Sequence, residues 1–150
     1  MKFDNKLDVL KFNREYVISE EDYSNLQSFI RNSFVSLGEV RFEGRYFNKT
    51  INFHVGYEYC CFTIYADCLF IRRIEIPSRR RGNGFFTEFM KNLENYLASI
   101  GIKKVCFENI QNPRLLSHLV NNGYNKAYFN FPIPETDESF DMPDAYKFLG

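Results

Sequence analysis

Hydrophobic positions change period repeatedly along the chain, and each change marks a switch between helix and sheet. From residue 20 onward, Tyr23, Leu26, Ile30, Phe34 and Leu37 recur three or four residues apart. That spacing stacks side chains on one face of a helix. Ser19 is a good N-cap, acids fill the first turn, and Gly38 is a natural stop. A period of two follows. Val40, Phe42 and Tyr46 alternate with polar residues, as do Ile51, Phe53 and Val55, with Asn48 and Lys49 suited to a turn between the two runs. Residues 57–65 are nearly all aromatic or small and apolar, as in a strand covered on both faces. Ala66 and Asp67 make a short turn before the next strand, 68–76. Consecutive strands with short links predict an antiparallel meander.

The helical period then returns. Gly84 opens a helix whose Phe86, Phe89, Met90, Leu93, Tyr96, Leu97 and Ile100 line one side, and Gly101 ends it. A strand is expected at 103–108. Asn112 caps a short helix with Pro113 at its first position, and Gly123 closes it. Strand, helix, strand and helix in this order imply a crossover and a parallel pair. Two more strands are expected, near 124–131 and 145–149, around a loop that carries Pro132, Pro134 and Pro143.

A chain of 150 residues argues for one domain, 1–150. Formal net charge is zero, so no global basic field favours nucleic acid, although five arginines fall between residues 72 and 81. The four cysteines, Cys60, Cys61, Cys68 and Cys106, lie inside apolar runs without a Cys-x-x-Cys spacing. They read as reduced, mostly buried thiols rather than metal ligands or a disulfide framework, which suits a cytoplasmic protein. No run reaches membrane-spanning length, and the N-terminus has no signal-peptide pattern.

The most informative segment is Arg79, Arg80, Arg81, Gly82, Asn83 and Gly84, between an apolar strand and a long helix. A helix start presents N–H groups and the positive end of a dipole. Glycines allow close approach of the backbone to an anion, and arginines add charge-assisted hydrogen bonds. Alone, this is also what an ordinary tight turn with solvated arginines looks like. The P-loop pattern is absent, and the dinucleotide Gly-x-Gly-x-x-Gly fails because residue 87 is Thr.

In its context, Arg79-x-x-Gly82-x-Gly84 after an apolar strand resembles the acyl-CoA signature of the GNAT superfamily of N-acetyltransferases. The segment from Asn112 to Gly123 and Tyr124 is similar to that family's Asn…Gly-Phe stretch, and residues 144–149 look like its final strand. The resemblance implies an α/β (α+β) fold with a mixed, mostly antiparallel sheet, a splayed parallel pair, and helices on both faces. It implies acetyl-CoA as co-substrate and an amine as acceptor. Arg72, Arg73 and Ile74 would lie along the pantetheine arm. Arg79 would belong to the same cofactor-binding loop, and backbone N–H groups of Arg80 to Phe85 would hold the pyrophosphate. Asn112 would contact the cofactor, a role compatible with that of a plain N-cap.

Acetyl transfer needs a neutral nucleophile, a polarised thioester and a proton for the leaving thiolate. Presenting a lysine-like amine neutral at pH 7 costs about 4–5 kcal/mol, so a base matters for such an acceptor. Two carboxylates at strand ends, Glu108 and Glu75, are the candidates. The proton donor is where the sequence departs from the resemblance, because Leu119 stands where a Tyr is usual. His118 is next to it but points about 100° away on a helix, which favours a surface role. Tyr124, Tyr128 or a water could serve instead. The loop 132–143 holds Glu135, Asp137, Glu138 and Asp141 and no basic residue, which would suit a cationic amine. Two other readings stay open: an acyl-CoA-binding or regulatory protein that does not transfer, and, against the zero net charge, a nucleic-acid-modifying enzyme. A homodimer is compatible with the sequence, which gives no route to oligomeric state.

Overall fold

The computed structural model describes residues 5–43, 49–76, 84–129 and 142–150. Its centre is a seven-stranded sheet of order β1-β2-β3-β4-β5-β7-β6. The strands are β1 (Val40–Phe42), β2 (Thr50–Val55), β3 (Glu58–Tyr65), β4 (Cys68–Arg73), β5 (Lys104–Phe107), β6 (Asn125–Ala127) and β7 (Asp144–Phe148). The first four form the expected antiparallel meander. β4 and β5 are the parallel pair, in register from Cys68↔Lys104 to Ile71↔Phe107. β7 inserts antiparallel between β5 and β6.

Among the described residues, four α-helices accompany the sheet: α1 (Lys6–Leu10), α2 (Glu20–Phe34), α3 (Phe85–Ser99) and α4 (Pro113–Asn121). Ser19 caps α2 by accepting from the Asp22 N–H, and Glu20, Glu21 and Asp22 sit at the positive end of its dipole. Its buried stripe, Leu26, Ile30 and Phe34, meets α3 directly. Phe29 stacks on Tyr96 with ring centroids 5.0 Å apart, and Phe34 packs edge-on against Phe53, Phe85 and Phe89. Leu119 of α4 is 1% exposed in this same core.

Alternation along the strands divides the sheet between two cores. Leu69, Ile71, Val105 and Phe107 join the large core. Cys68, Phe70 and Cys106 join a smaller one, built with Leu10, Val9 and Phe12 from the N-terminal segment. The short α1, which no sequence period announces, therefore serves the smaller core while α2, α3 and α4 share the larger. Gly101 holds the N-terminal segment close: it has φ +92°, and a Cβ there would meet the ring of Tyr16 at 2.9 Å. The Tyr16 hydroxyl donates to the Ile100 carbonyl at 2.7 Å.

Two strands are shorter than their hydrophobic runs suggested. β4 ends at Arg73 although the apolar pattern continues to Ile76, and β5 ends at Phe107. The reason lies in pairing, which sequence periodicity cannot report.

Candidate active site

β4 loses register with its neighbours where it leaves the core. Phe62 pairs with Ile71 but Cys61 pairs with Arg73, so Arg72 is an extra residue on β4. A bulge of this kind bends the strand and sharpens its twist. On the other edge, the last β5 contact is the Glu108 N–H donating to the Ile71 carbonyl at 3.1 Å. Beyond it, among the described residues, no β5 residue stands opposite β4. The parallel pair has parted.

A cleft of about 890 Å³ fills the gap. One wall is Ile71 to Ile76 of β4 and its continuation. The other is Phe107 to Asn112 with Arg114, Leu115 and His118 of α4, and Phe86 of α3 also contributes. Apolar side chains alternate with Arg72, Arg73, Arg114, Glu75 and Glu108, the mixture that favours a long ligand with both apolar and anionic parts.

The two carboxylates differ in their engagements. Glu75 accepts from the Tyr59 N–H at 2.8 Å and pairs with Arg73 Nη2 at 3.1 Å. Its side chain thus takes over a β3 amide where the ladder has failed. Glu108 is 22% exposed at its side chain and bridges two cations. Its Oε2 accepts from Lys6 Nζ at 2.9 Å, and its Oε1 lies 3.4 Å from Arg72 Nε. Lys6 also lies 3.7 Å from Asp144 Oδ2. Burial opposes the charge on Lys6, yet Glu108 and Asp144 together hold its pKa above the ordinary lysine value. Burial pushes Asp144 up, against the pull of the Asn109 N–H and of Lys6. Lys6 is thus held chiefly by Glu108, the nearer partner.

Most sequence-predicted site residues that the structure describes meet at this cleft. Arg72, Arg73, Ile74 and Glu75 line one wall, and Glu108 and Asn112 the other. The Asn112 side chain accepts from the Arg114 N–H at 2.9 Å and so caps α4. Gly84 is the N-cap of α3 at φ +84°, and a Cβ there would meet nothing within 4 Å. Glycine is needed at that position for its backbone angle, not for space. Phe85 turns its ring into the core against Phe34. Arg79, Arg80, Arg81, Gly82 and Asn83 lie outside the described residues, as do residues 130–141, which include the four acids of the loop 132–143.

The proton-donor candidates sort themselves. Leu119 is in the core, not the cleft. Tyr124 is 4% exposed, and its hydroxyl donates to Glu94 Oε2 at 2.9 Å. Burial, then Glu94, pushes this phenol far above its usual range. His118, expected at the surface, lines the wall of the open cleft, with its ring 5.3 Å edge-on from Phe86. It follows Arg114 and Leu115 by four and three residues, so all three share one helix face. Lys6, Asp144, Phe86 and Arg114 are site residues that the sequence did not single out.

No family model matches the chain, and no curated protein matches it in sequence. Solved structures do match in fold. A Klebsiella pneumoniae protein assigned as an acyl-CoA N-acyltransferase aligns with a TM-score of 0.53 at 12% identity, over 87% of this chain and 88% of that one. An acetyltransferase of the GNAT family from Staphylococcus aureus aligns at 0.50 with 13% identity, over 96% and 88%. The mixed sheet, with one parallel pair among the described residues, is thus the fold that the sequence resemblance implied. No helix among the described residues is long and apolar enough to cross a membrane.

Proposed function

We propose that the chain transfers an acetyl group from acetyl-CoA to a primary amine of a cationic acceptor. The observation that carries this reading is the cleft where β4 and β5 part, with Glu108 on its wall, in a fold shared with structures described as acyl- and acetyltransferases. The cleft's volume suits a ligand of cofactor size. Ile71, Ile74 and Phe107 offer apolar surface to a pantetheine arm, and the β4 edge from Arg72 offers backbone groups to its amides. Anionic phosphates belong with Arg73, Arg114 and the loop from Arg79 to Asn83. There the start of α3, at Gly84 and Phe85, adds its dipole.

Bound acetyl-CoA supplies an acetyl group already activated as a thioester. The residues do the rest. Glu108 takes a proton from the acceptor amine as its nitrogen attacks the thioester carbonyl carbon. The N–C bond forms, the C–S bond breaks, and the departing thiolate needs a proton. His118, whose ring lines the cleft from α4, is the candidate to give one. Glu75, tied to Tyr59 and Arg73, is the second candidate base.

A reading without transfer has its own support. Leu119 is in the core and Tyr124 is committed to Glu94, so neither serves the thiolate, and a protein that only binds acyl-CoA would need neither. Calorimetry and a thiol-release assay separate the cases. Acetyl-CoA binding at roughly tens of micromolar or tighter is expected on both readings, and its absence would sink both. Release of CoA thiol in the presence of polyamines, aminoglycosides, peptides or protein N-termini supports transfer. Binding without release supports the second reading.

A further inference from the structure

Glu108 is engaged on both sides. Its Oε1 faces Arg72, which lines the cleft, while its Oε2 holds the Lys6 ammonium. Lys6 itself does not line the cleft. Its Nζ lies 4.8 Å from the Phe70 ring centroid and 5.5 Å from that of Phe129, both in the smaller core. Asp144 adds a second carboxylate at 3.7 Å. Lys6 and Asp144 are each only 6% exposed. This is an ammonium site with charge-assisted hydrogen bonding, a second anion and two ring faces. Lys104, also buried, is held differently. It pairs with Asp67 at 2.6 Å and donates to the Lys11 carbonyl at 3.0 Å, and neither partner reaches the cleft. That contact staples the chain, whereas the Lys6 contact ends on the candidate base.

The geometry also matches a reaction step. A base must lie within hydrogen-bond reach of the amine whose proton it takes, and the 2.9 Å from Glu108 Oε2 to Lys6 Nζ is within that reach. With the cofactor in the cleft, an amine approaching Glu108 from the other side would come to the place where Lys6 now sits. α1 is five residues long, and so short a helix is marginal without its tertiary contacts.

We propose that Glu108, Asp144, Phe70 and Phe129 form a subsite for a primary alkylammonium group. Lys6 occupies it in the free protein, and the acceptor amine of the transfer reaction takes its place. The last clause rests on the proposed acetyl transfer; the assignment of the subsite does not.

The test uses the 150-residue chain and n-butylammonium, which has the shape of a lysine side chain, with n-butanol as the uncharged control. By calorimetry, Lys6→Ala binds butylammonium roughly tenfold or more tightly than the parent, in which Lys6 competes, and does not bind butanol. Lys6→Met fills the stem without the charge and binds neither. If Lys6→Ala is too unstable for calorimetry, butylammonium raises its melting temperature and leaves that of Lys6→Met unchanged. Equal binding by parent and Lys6→Ala overturns the subsite, as does equal rescue by butanol or no rescue at all. Thiol release then addresses the acceptor. Lys6→Ala is expected to lower the KM for butylamine by roughly tenfold while leaving the KM for acetyl-CoA unchanged. Butylammonium binding by Lys6→Ala with no acetyl transfer by either protein would keep the subsite and overturn its assignment to the acceptor.

Discussion

Cys60 and Cys61 are neighbours in β3 with opposite fates, because successive side chains of a strand point to opposite faces. Cys60 is fully buried and Cys61 only half-buried, and both are free thiols. A maleimide should therefore label Cys61 first in the folded protein, and Cys60, Cys68 and Cys106 only on unfolding, as read by mass spectrometry. Burial pushes the Cys60 thiol from 9.0 up to about 12. The unfolded chain then releases this proton first, and stability falls as pH rises from 9.0 toward about 12, by up to ~1.4 kcal/mol per pH unit. Urea midpoints measured across that window should decline, and less steeply in Cys60→Ala. Glu108→Gln addresses chemistry at the same scale. It should lower acetyl transfer by about 10²–10⁴-fold with little change in acetyl-CoA affinity. Full activity would remove Glu108 as base and leave Glu75 to be tested in the same way.

The elements that bound the cleft are set by short signals, and most of these could be read directly. Asn112 with Pro113 starts α4, and Gly84 starts α3 at a positive φ. Asn112 has two assignable roles, and two substitutions separate them. Asn112→Ala should cost about 1 kcal/mol of stability through loss of the cap, measured by urea denaturation. Asn112→Ser keeps a capping oxygen, so its stability should be close to the parent's. If it also weakens acetyl-CoA binding, Asn112 contacts the cofactor; unchanged binding would limit it to capping. Strand ends were less legible. The apolar pattern runs past Arg73 to Ile76, yet the bulge at Arg72 and the end of β5 at Phe107 stop the ladder first. A bulge is a property of two strands in register, so one strand's pattern does not contain it.

At the scale of the molecule, the N-terminal segment is fastened across the sheet by polar contacts that span long sequence separations. Asp67 is the main anchor. Its Oδ1 accepts from the Asn13 N–H at 2.8 Å, and its Oδ2 pairs with Lys104 at 2.6 Å. Asp67 is 3% exposed and Lys104 7%, so removing one charge strands the other in the interior. Asp67→Ala should cost about 3–5 kcal/mol, and adding Lys104→Met should recover part of the loss. Equilibrium denaturation of the two single variants and the double variant gives the coupling. An additive cycle would mean that the pair does not hold the segment. A loosened segment should also carry α1 and Lys6 away from Glu108, linking this anchor to the site.

The sequence by itself determined the order of elements, the meander, the parallel crossover and the stretches of chain that flank the cleft. These rest on local period, caps and turns, which neighbouring residues dictate. It also placed Glu108 at a strand end. Only the tertiary structure decided what Glu108 meets. Its partner Lys6 is 102 positions away, in a helix too short to show a period. Tertiary structure decided α4 as well. Helical spacing separates His118 from Leu119 by about 100°, but which of the two faces the core depends on how α4 lies against Phe86 and Phe107. Leu119 went inward and His118 to the cleft, because burying the apolar side chain is the favourable choice and the imidazole keeps its access to water.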